Sequence, residues 1–114
     1  MRYIFKNSPL KYKFEKENHV ETQVNLINIG PAQILTIPGE ALPNIGFYLK
    51  RKMPTKFPFL FGLANDAFGY ILTKEDFNSF KRYEYISRTS LGEMTADTYI
   101  NQALELINES PIPE

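Results

Sequence analysis

Cysteine is absent from the 114 residues, which excludes disulfides, thiol catalysis and thiolate metal sites and suits a reducing compartment. A net charge is absent too. Thirteen Lys and Arg balance thirteen Asp and Glu, so no overall field recruits nucleic acid or an acidic membrane. No apolar run approaches the roughly 20 residues that a membrane span needs. The opening MRYIFKNSPLKYKF has no continuous apolar stretch and does not read as a signal peptide, so the expected location is cytoplasmic. Histidine is reduced to His19, in the charged stretch 15–19, where a solvated surface residue is the plain reading. A hydrolytic triad needs a His beside its nucleophile, and no Ser has one nearby in sequence. The length corresponds to one domain, residues 1–114, with room for a core but little for a complete enzyme.

Aromatic residues, in contrast, are many: seven Tyr and nine Phe. Because aromatics bury the most area per residue, most are expected in the core. The stretch from Ile34 to Tyr70 organises the chain. Ile34-Leu35-Thr36-Ile37 reads as a buried strand, broken by Pro38-Gly39-Glu40. A short amphipathic helix follows with Leu42, Ile45 and Leu49 on one face, closed by Lys50, Arg51 and Lys52 at the negative end of its dipole. A second apolar run, Phe57 to Leu63, leads into Ala64-Asn65-Asp66. Strand, helix, strand is a βαβ unit, which places both strand C-termini, with Glu40 and Asn65-Asp66, at one edge of a sheet. Ligands bind outside that edge in such sheets.

Around this unit the pattern is simpler. Residues 1–13 alternate loosely and suggest an edge strand or an extended arm, interrupted at Ser8-Pro9. Val20 to Ile29 alternates, Gly30-Pro31 marks a turn, and residues 33–37 follow at hairpin spacing. Gly69-Tyr70-Ile71-Leu72 is a short extended piece. Thr73 to Asp76 looks like a capped helix start, with Phe77 and Phe80 on its buried side. Lys81 to Ser87 alternates as a strand or ordered loop does. The final helix is marked by Ala96, Tyr99, Ile100, Ala103, Leu104 and Ile107 at helical spacing, capped by Ser90 with Glu93 or by Thr95, and stopped at Ser110-Pro111. The fold class is therefore α/β (α+β): a mixed sheet with a β-hairpin, one βαβ unit and two to three helices.

Residue by residue, bland readings suffice. A carboxylate such as Glu40 is favourable near a helix N-terminus by roughly 0.3–1 kcal/mol. Asn65-Asp66 makes a turn after a strand. Tyr70 and Tyr83 fit core aromatics with surface hydroxyls.

The ordered set of motifs carries more. IPGEALPNIGFYLK, then FLFGLANDAFGYILTKEDF, then RYEYIS resembles the neutral/alkaline (non-lysosomal) ceramidase-like family over about residues 20–109. The matched region is the C-terminal part of that family's catalytic domain. The resemblance implies a zinc ion held by two His, one Glu and one Tyr. The Glu of the PGE motif is Glu40 here, and the Tyr ahead of the T-x-E-(E/D) run is Tyr70. The resemblance also assigns Tyr83, of the YE pair, to the substrate amide, which it polarises or whose oxyanion it holds. Carboxylate and phenol oxygens are acceptable zinc ligands, and a tyrosine hydroxyl can donate to a developing oxyanion.

The departures bound this reading. The family's two zinc His residues and its serine have no counterpart, and His19 does not sit in a family His motif. Phe68 and Phe77 stand where relatives often carry tyrosines or smaller residues. The interval from Tyr70 to Tyr83 is one residue longer than in relatives. Two oxygen ligands alone make a weak zinc site, so this chain by itself is not expected to hydrolyse an amide. One function class follows: the C-terminal portion of a zinc-dependent ceramidase-like amidohydrolase, with a partner chain or missing segment supplying the N-terminal half. The other is a non-catalytic interaction or binding module that keeps the fold motifs. If the chain is such a fragment, an exposed apolar face, with self-association or a partner chain covering it, is expected.

Overall fold

A computed structural model describes residues 3–13 and 19–114, with side chains from Val20 onward. Six strands and three helices follow in the order β1 (Tyr3–Lys13), β2 (His19–Ile29), β3 (Ala32–Thr36), β4 (Glu40–Ala41), α1 (Pro43–Lys52), β5 (Phe57–Phe61), β6 (Tyr70–Ile71), α2 (Glu84–Arg88) and α3 (Thr95–Glu109). A single 3₁₀ turn, Lys81–Tyr83, precedes α2.

The main sheet has the order β1-β2-β3-β5. The pairs β1-β2 and β2-β3 are antiparallel, whereas β3 and β5 run parallel with α1 between them in sequence. The hairpin and the βαβ unit are thus both present. Gly30 takes φ +55 in the tight turn between β2 and β3, a conformation that suits glycine. The N-terminal arm is an 11-residue edge strand that runs through Pro9, which an edge position tolerates. The loop expected at 15–19 lies outside the described residues but for the backbone of His19, which opens β2.

Register decides which side chains meet the helices. Val24, Leu26 and Leu35 point to the face covered by α1 and α3, where they join Ile45, Leu49, Tyr99, Ala103, Leu106 and Ile107. Burying such side chains contributes roughly 1.5–3 kcal/mol each. α1 buries Ile45 and Leu49, and α3 buries the stripe from Ala96 to Ile107. Tyr99 crosses the core, and its hydroxyl donates to the Thr36 carbonyl at 2.9 Å. Burial raises its phenol well above the usual tyrosine range. Gln33 is buried on the same face and donates to Asn28, which donates in turn to the Pro111 carbonyl, so β2, β3 and the tail beyond α3 are tied together.

Four expectations need correction. The phenylalanines are not the core: Phe47, Phe57, Phe59, Phe61 and Phe80 are exposed, and Tyr99 is the one aromatic side chain in the buried cluster among the described residues. The stretch 73–78 is a turn, not a helix, although its cap forms. Thr73 Oγ1 donates to Asp76, the Asp76 amide donates back at 3.2 Å, and Asn78 then ends the turn at φ +56. Lys81–Ser87 is helical rather than extended, because the 3₁₀ turn passes directly into α2. At the final helix, Met94 occupies the N-cap without a side-chain bond, and Thr95 is already inside the helix and buried.

Candidate functional site

The chain turns sharply after β3, and the turn is held by backbone bonds from a distant segment. The Ile37 amide donates to Phe61, and the Ile37, Pro38 and Gly39 carbonyls accept from Ala64, Phe68 and Leu63, each at 3.0 Å. Residues 61–68 therefore wrap around Pro38-Gly39. Asn65, at φ +73, extends this wrapping by donating to the Gln23 carbonyl and to the Asn25 side chain. Thr22 donates to Asp66. Asn65 and Asp66 thus bind β2 where β3 has left it, and their turn reading describes what they do.

The wrapping delivers β6 alongside β4. These two short strands pair in parallel, with Glu40 directly opposite Tyr70 and Ala41 opposite Ile71. The Glu40 amide donates to the Gly69 carbonyl at 2.9 Å, and the Leu42 amide donates to Ile71 at 3.0 Å. Residues paired across a ladder share a face, so the carboxylate and the phenol leave the ribbon on the same side. Glu40 lies in this ribbon, three residues ahead of α1, and so is not part of the first helical turn. Its carboxylate is exposed, and Tyr70 is half-buried.

Glycine precedes each of the two residues, and in both cases the backbone approach demands it. A Cβ at Gly39 would stand 2.6 Å from the Gly69 carbonyl oxygen. A Cβ at Gly69, where φ is +85, would stand 1.9 Å from the Thr89 carbonyl oxygen. The Pro-Gly-Glu and Gly-Tyr motifs are thus the two halves of one close backbone crossing. The Thr73–Asp76 motif closes its far side, because Asp76 accepts from Asn44 of α1 at 2.7 Å as well as from Thr73.

Tyr83 is placed differently. It is half-buried, its ring meets Phe80 edge-on at 5.5 Å, and the Arg82 guanidinium lies over both rings. The aromatic that reaches Tyr70 is Tyr85, with ring centroids 6.4 Å apart at 69°. Sequence reasoning passed over Tyr85. An extended reading of Lys81–Ser87 puts Tyr83 and Tyr85 on one face, whereas a helical step of about 100° per residue separates them by about 200°.

An open groove of about 460 Å³ borders Glu40, lined also by Ile37, Leu42, Leu60, Gly62 and Leu63. The enclosed cavity beside Thr95 and Phe68, about 10 Å³, is too small for any ligand larger than one water. As a metal site the donor set is partial. Glu40 and Tyr70 offer two hard oxygens on one side of a ribbon, which suits two positions of a zinc shell. Among the described residues no group of three or more His, Asp or Glu side chains is placed to hold a metal ion. The ribbon by itself therefore does not make a metal centre. No described helix is long and apolar enough to cross a membrane.

No family model matches the sequence, and no curated protein matches it. Solved structures do. A ceramidase complexed with C2 superimposes with a TM-score of 0.64 at 20% identity, over 82% of this chain and 16% of that chain. A neutral ceramidase from Pseudomonas aeruginosa does so with a TM-score of 0.65 at 19% identity, again over 82% of this chain and 16% of its own. The chain has the fold of a small part of these ceramidase structures, about one-sixth of their length.

Proposed function

We propose that the chain is the C-terminal part of the catalytic domain of a zinc-dependent ceramidase-like amidohydrolase, acting on N-acyl amides once the rest of the domain is supplied in cis or by a partner chain. The pairing of Glu40 with Tyr70 carries this reading. They lie 30 positions apart, and two unrelated surface residues have no reason to stand directly opposite each other on a ribbon whose flanking glycines exist to let it form. In this reading Glu40 and Tyr70 hold zinc together with two imidazoles from the missing part. The metal, when bound, supplies Lewis-acid polarisation of the amide carbonyl. Tyr83 donates its hydroxyl to the same carbonyl, which requires the 3₁₀ turn Lys81–Tyr83 to settle differently against the completed domain while the end of α2 stays beside β6. The chain alone is inactive, because two oxygen donors bind zinc weakly and the serine is absent.

The test is co-expression with the upstream-encoded polypeptide, followed by zinc analysis and an N-acyl amide hydrolysis assay on the same preparation. The expected result is about one zinc per complex, with Glu40→Ala and Tyr70→Phe each losing metal and activity. Amide hydrolysis that survives both substitutions would overturn the assignment. A complex that forms without zinc would leave the non-catalytic binding module as the reading.

A further inference from the structure

Helices α1 and α3 cover one face of the main sheet, and the opposite face carries an apolar surface that the described residues leave exposed. Phe57, Phe59 and Phe61 alternate outward along β5 and are 52%, 47% and 51% exposed. Register extends the surface across the sheet: Phe57 is paired with Ala32 and that with Ile29, and Phe59 with Ile34 and that with Ile27. Neither row holds a charged residue. The third row ends differently, since Phe61 pairs with Thr36 and Asn65 already lies on Asn25 beside it. Where a largely antiparallel sheet leaves one face in water, that face is normally polar, and edge strands that stay in water usually carry charges that discourage docking. This face has neither protection.

We infer that this face is the docking surface for the missing part of the ceramidase-like domain, which lays an apolar layer across Phe57, Phe59 and Ile34. The inference rests on the proposed function and adds the place where the partner binds. Two observations choose the occupant. The chain matches only 16% of the structures that share its fold, so most of that architecture lies outside it. A second copy, by contrast, has too little to hold. A phenylalanine offers about 150–250 Å², so three half-exposed rings with Ile29 present about 300–400 Å². Two copies face to face would bury about 600–800 Å², short of the roughly 1,200–2,000 Å² of a stable interface, so the occupant must reach surface beyond this face, as a partner several times the size of this chain can. The open edge of β5 favours a covering layer over an added strand. Phe61 accepts from Ile37, so the outward groups of β5 belong to Pro58 and Leu60, and Pro58 has no N–H to offer.

The experiment compares the wild-type chain with the triple variant Phe57→Lys/Phe59→Lys/Phe61→Lys, each co-expressed with the upstream-encoded polypeptide. Exposed side chains predict a variant whose melting temperature stays close to the wild type. A complex is expected for the wild type and at least tenfold weaker binding for the variant. Should the triple variant not fold, Phe59→Ser and hydrogen exchange of β2 and β3 in the complex serve instead, with slower exchange on complex formation expected. Equal binding by the variant overturns the inference, as does the absence of any complex. A saturable wild-type dimer abolished by the variant overturns it in favour of a second copy. Zinc and hydrolysis measurements separate the two proposals. A Phe-dependent complex without metal refutes the hydrolase and keeps the docking face, and a Phe-independent active complex does the reverse.

Discussion

Replacing Gly69 with Ala tests whether the Glu40–Tyr70 ribbon depends on the backbone crossing described above. Gly69 sits at φ +85, and an L-residue in the left-handed region costs roughly 1–2 kcal/mol. The added Cβ also meets backbone rather than a side-chain end: the Thr89 carbonyl oxygen at 1.9 Å and its carbon at 3.1 Å. Relief requires the end of α2 to retreat by more than an ångström or β6 to leave β4. Together the two effects should cost about 3 kcal/mol, within the range of strained or overpacked sites. For a domain of this size that lowers the melting temperature by about 12 °C, at about 4 °C per kcal/mol. Circular dichroism melts measure the loss, and hydrogen exchange localises it, since the Glu40 amide donates to Gly69 and should lose protection first. Gly62→Ala is the control, because its Cβ would meet nothing nearer than the Gly39 oxygen at 3.5 Å. A Gly69→Ala protein within about 1 kcal/mol of wild type would refute the left-handed backbone at Gly69 and its close contact with Thr89, which hold β6 against the end of α2.

Further outcomes follow from other parts of the molecule. Tyr99→Phe should cost about 1–2 kcal/mol, the loss of a buried donor to Thr36 together with the carbonyl left unpaired, as measured by denaturant unfolding. The Tyr99 phenol is held protonated by burial in the folded chain, so its contribution is complete below the unfolded tyrosine value near 10 and falls as pH rises above it. Wild-type stability should therefore drop by about 1.4 kcal/mol per pH unit above pH 10 from this group, and Tyr99→Phe should remove that part of the slope. Leu49→Ala, at a fully buried position, should cost about 2–5 kcal/mol by the same assay. Asp76→Ala, which removes the acceptor shared by Thr73 and Asn44, should cost about 1 kcal/mol and raise exchange at the Asp76 and Phe77 amides.

The hairpin and the last helix were legible because each has a punctuating signal and a long pattern. Gly30-Pro31 sits between two alternating runs, and α3 repeats its apolar stripe over four turns. The parallel arrangement of β3 and β5 was legible through the helix between them, though not its register. The two-residue ribbon was not, since no periodicity exists in so short an element, and the motif resemblance was what brought Glu40 and Tyr70 forward. The burial of the phenylalanines could not be read either. Alternation at Phe57, Phe59 and Phe61 says that they share an environment, but hydrophobicity alone cannot say whether that environment is this chain's core or another surface. Between Thr73 and Ser87 the residue types favour caps, turns and short helices at once, and Asn78 in the left-handed region ended the turn before a helix could grow.

The same chain segments explain why Tyr83 stands away from the pair while Tyr85 touches it. Gly69 packs against the Thr89 carbonyl, so the end of α2 is pinned beside β6, and a helical rotation then fixes which tyrosine of Tyr83-Glu84-Tyr85 faces Tyr70. Tyr83 is held on the other side by Phe80 and Arg82, three exposed or half-exposed side chains that pack chiefly on one another. Exposed ring and cation contacts of this kind contribute about 0.5–1 kcal/mol each, whereas the Gly69–Thr89 contact is backbone against backbone and leaves no room for a side chain. The pair Glu40–Tyr70 is therefore fixed by backbone bonds and close backbone contacts, whereas Tyr83 is placed by side-chain contacts with Phe80 and Arg82.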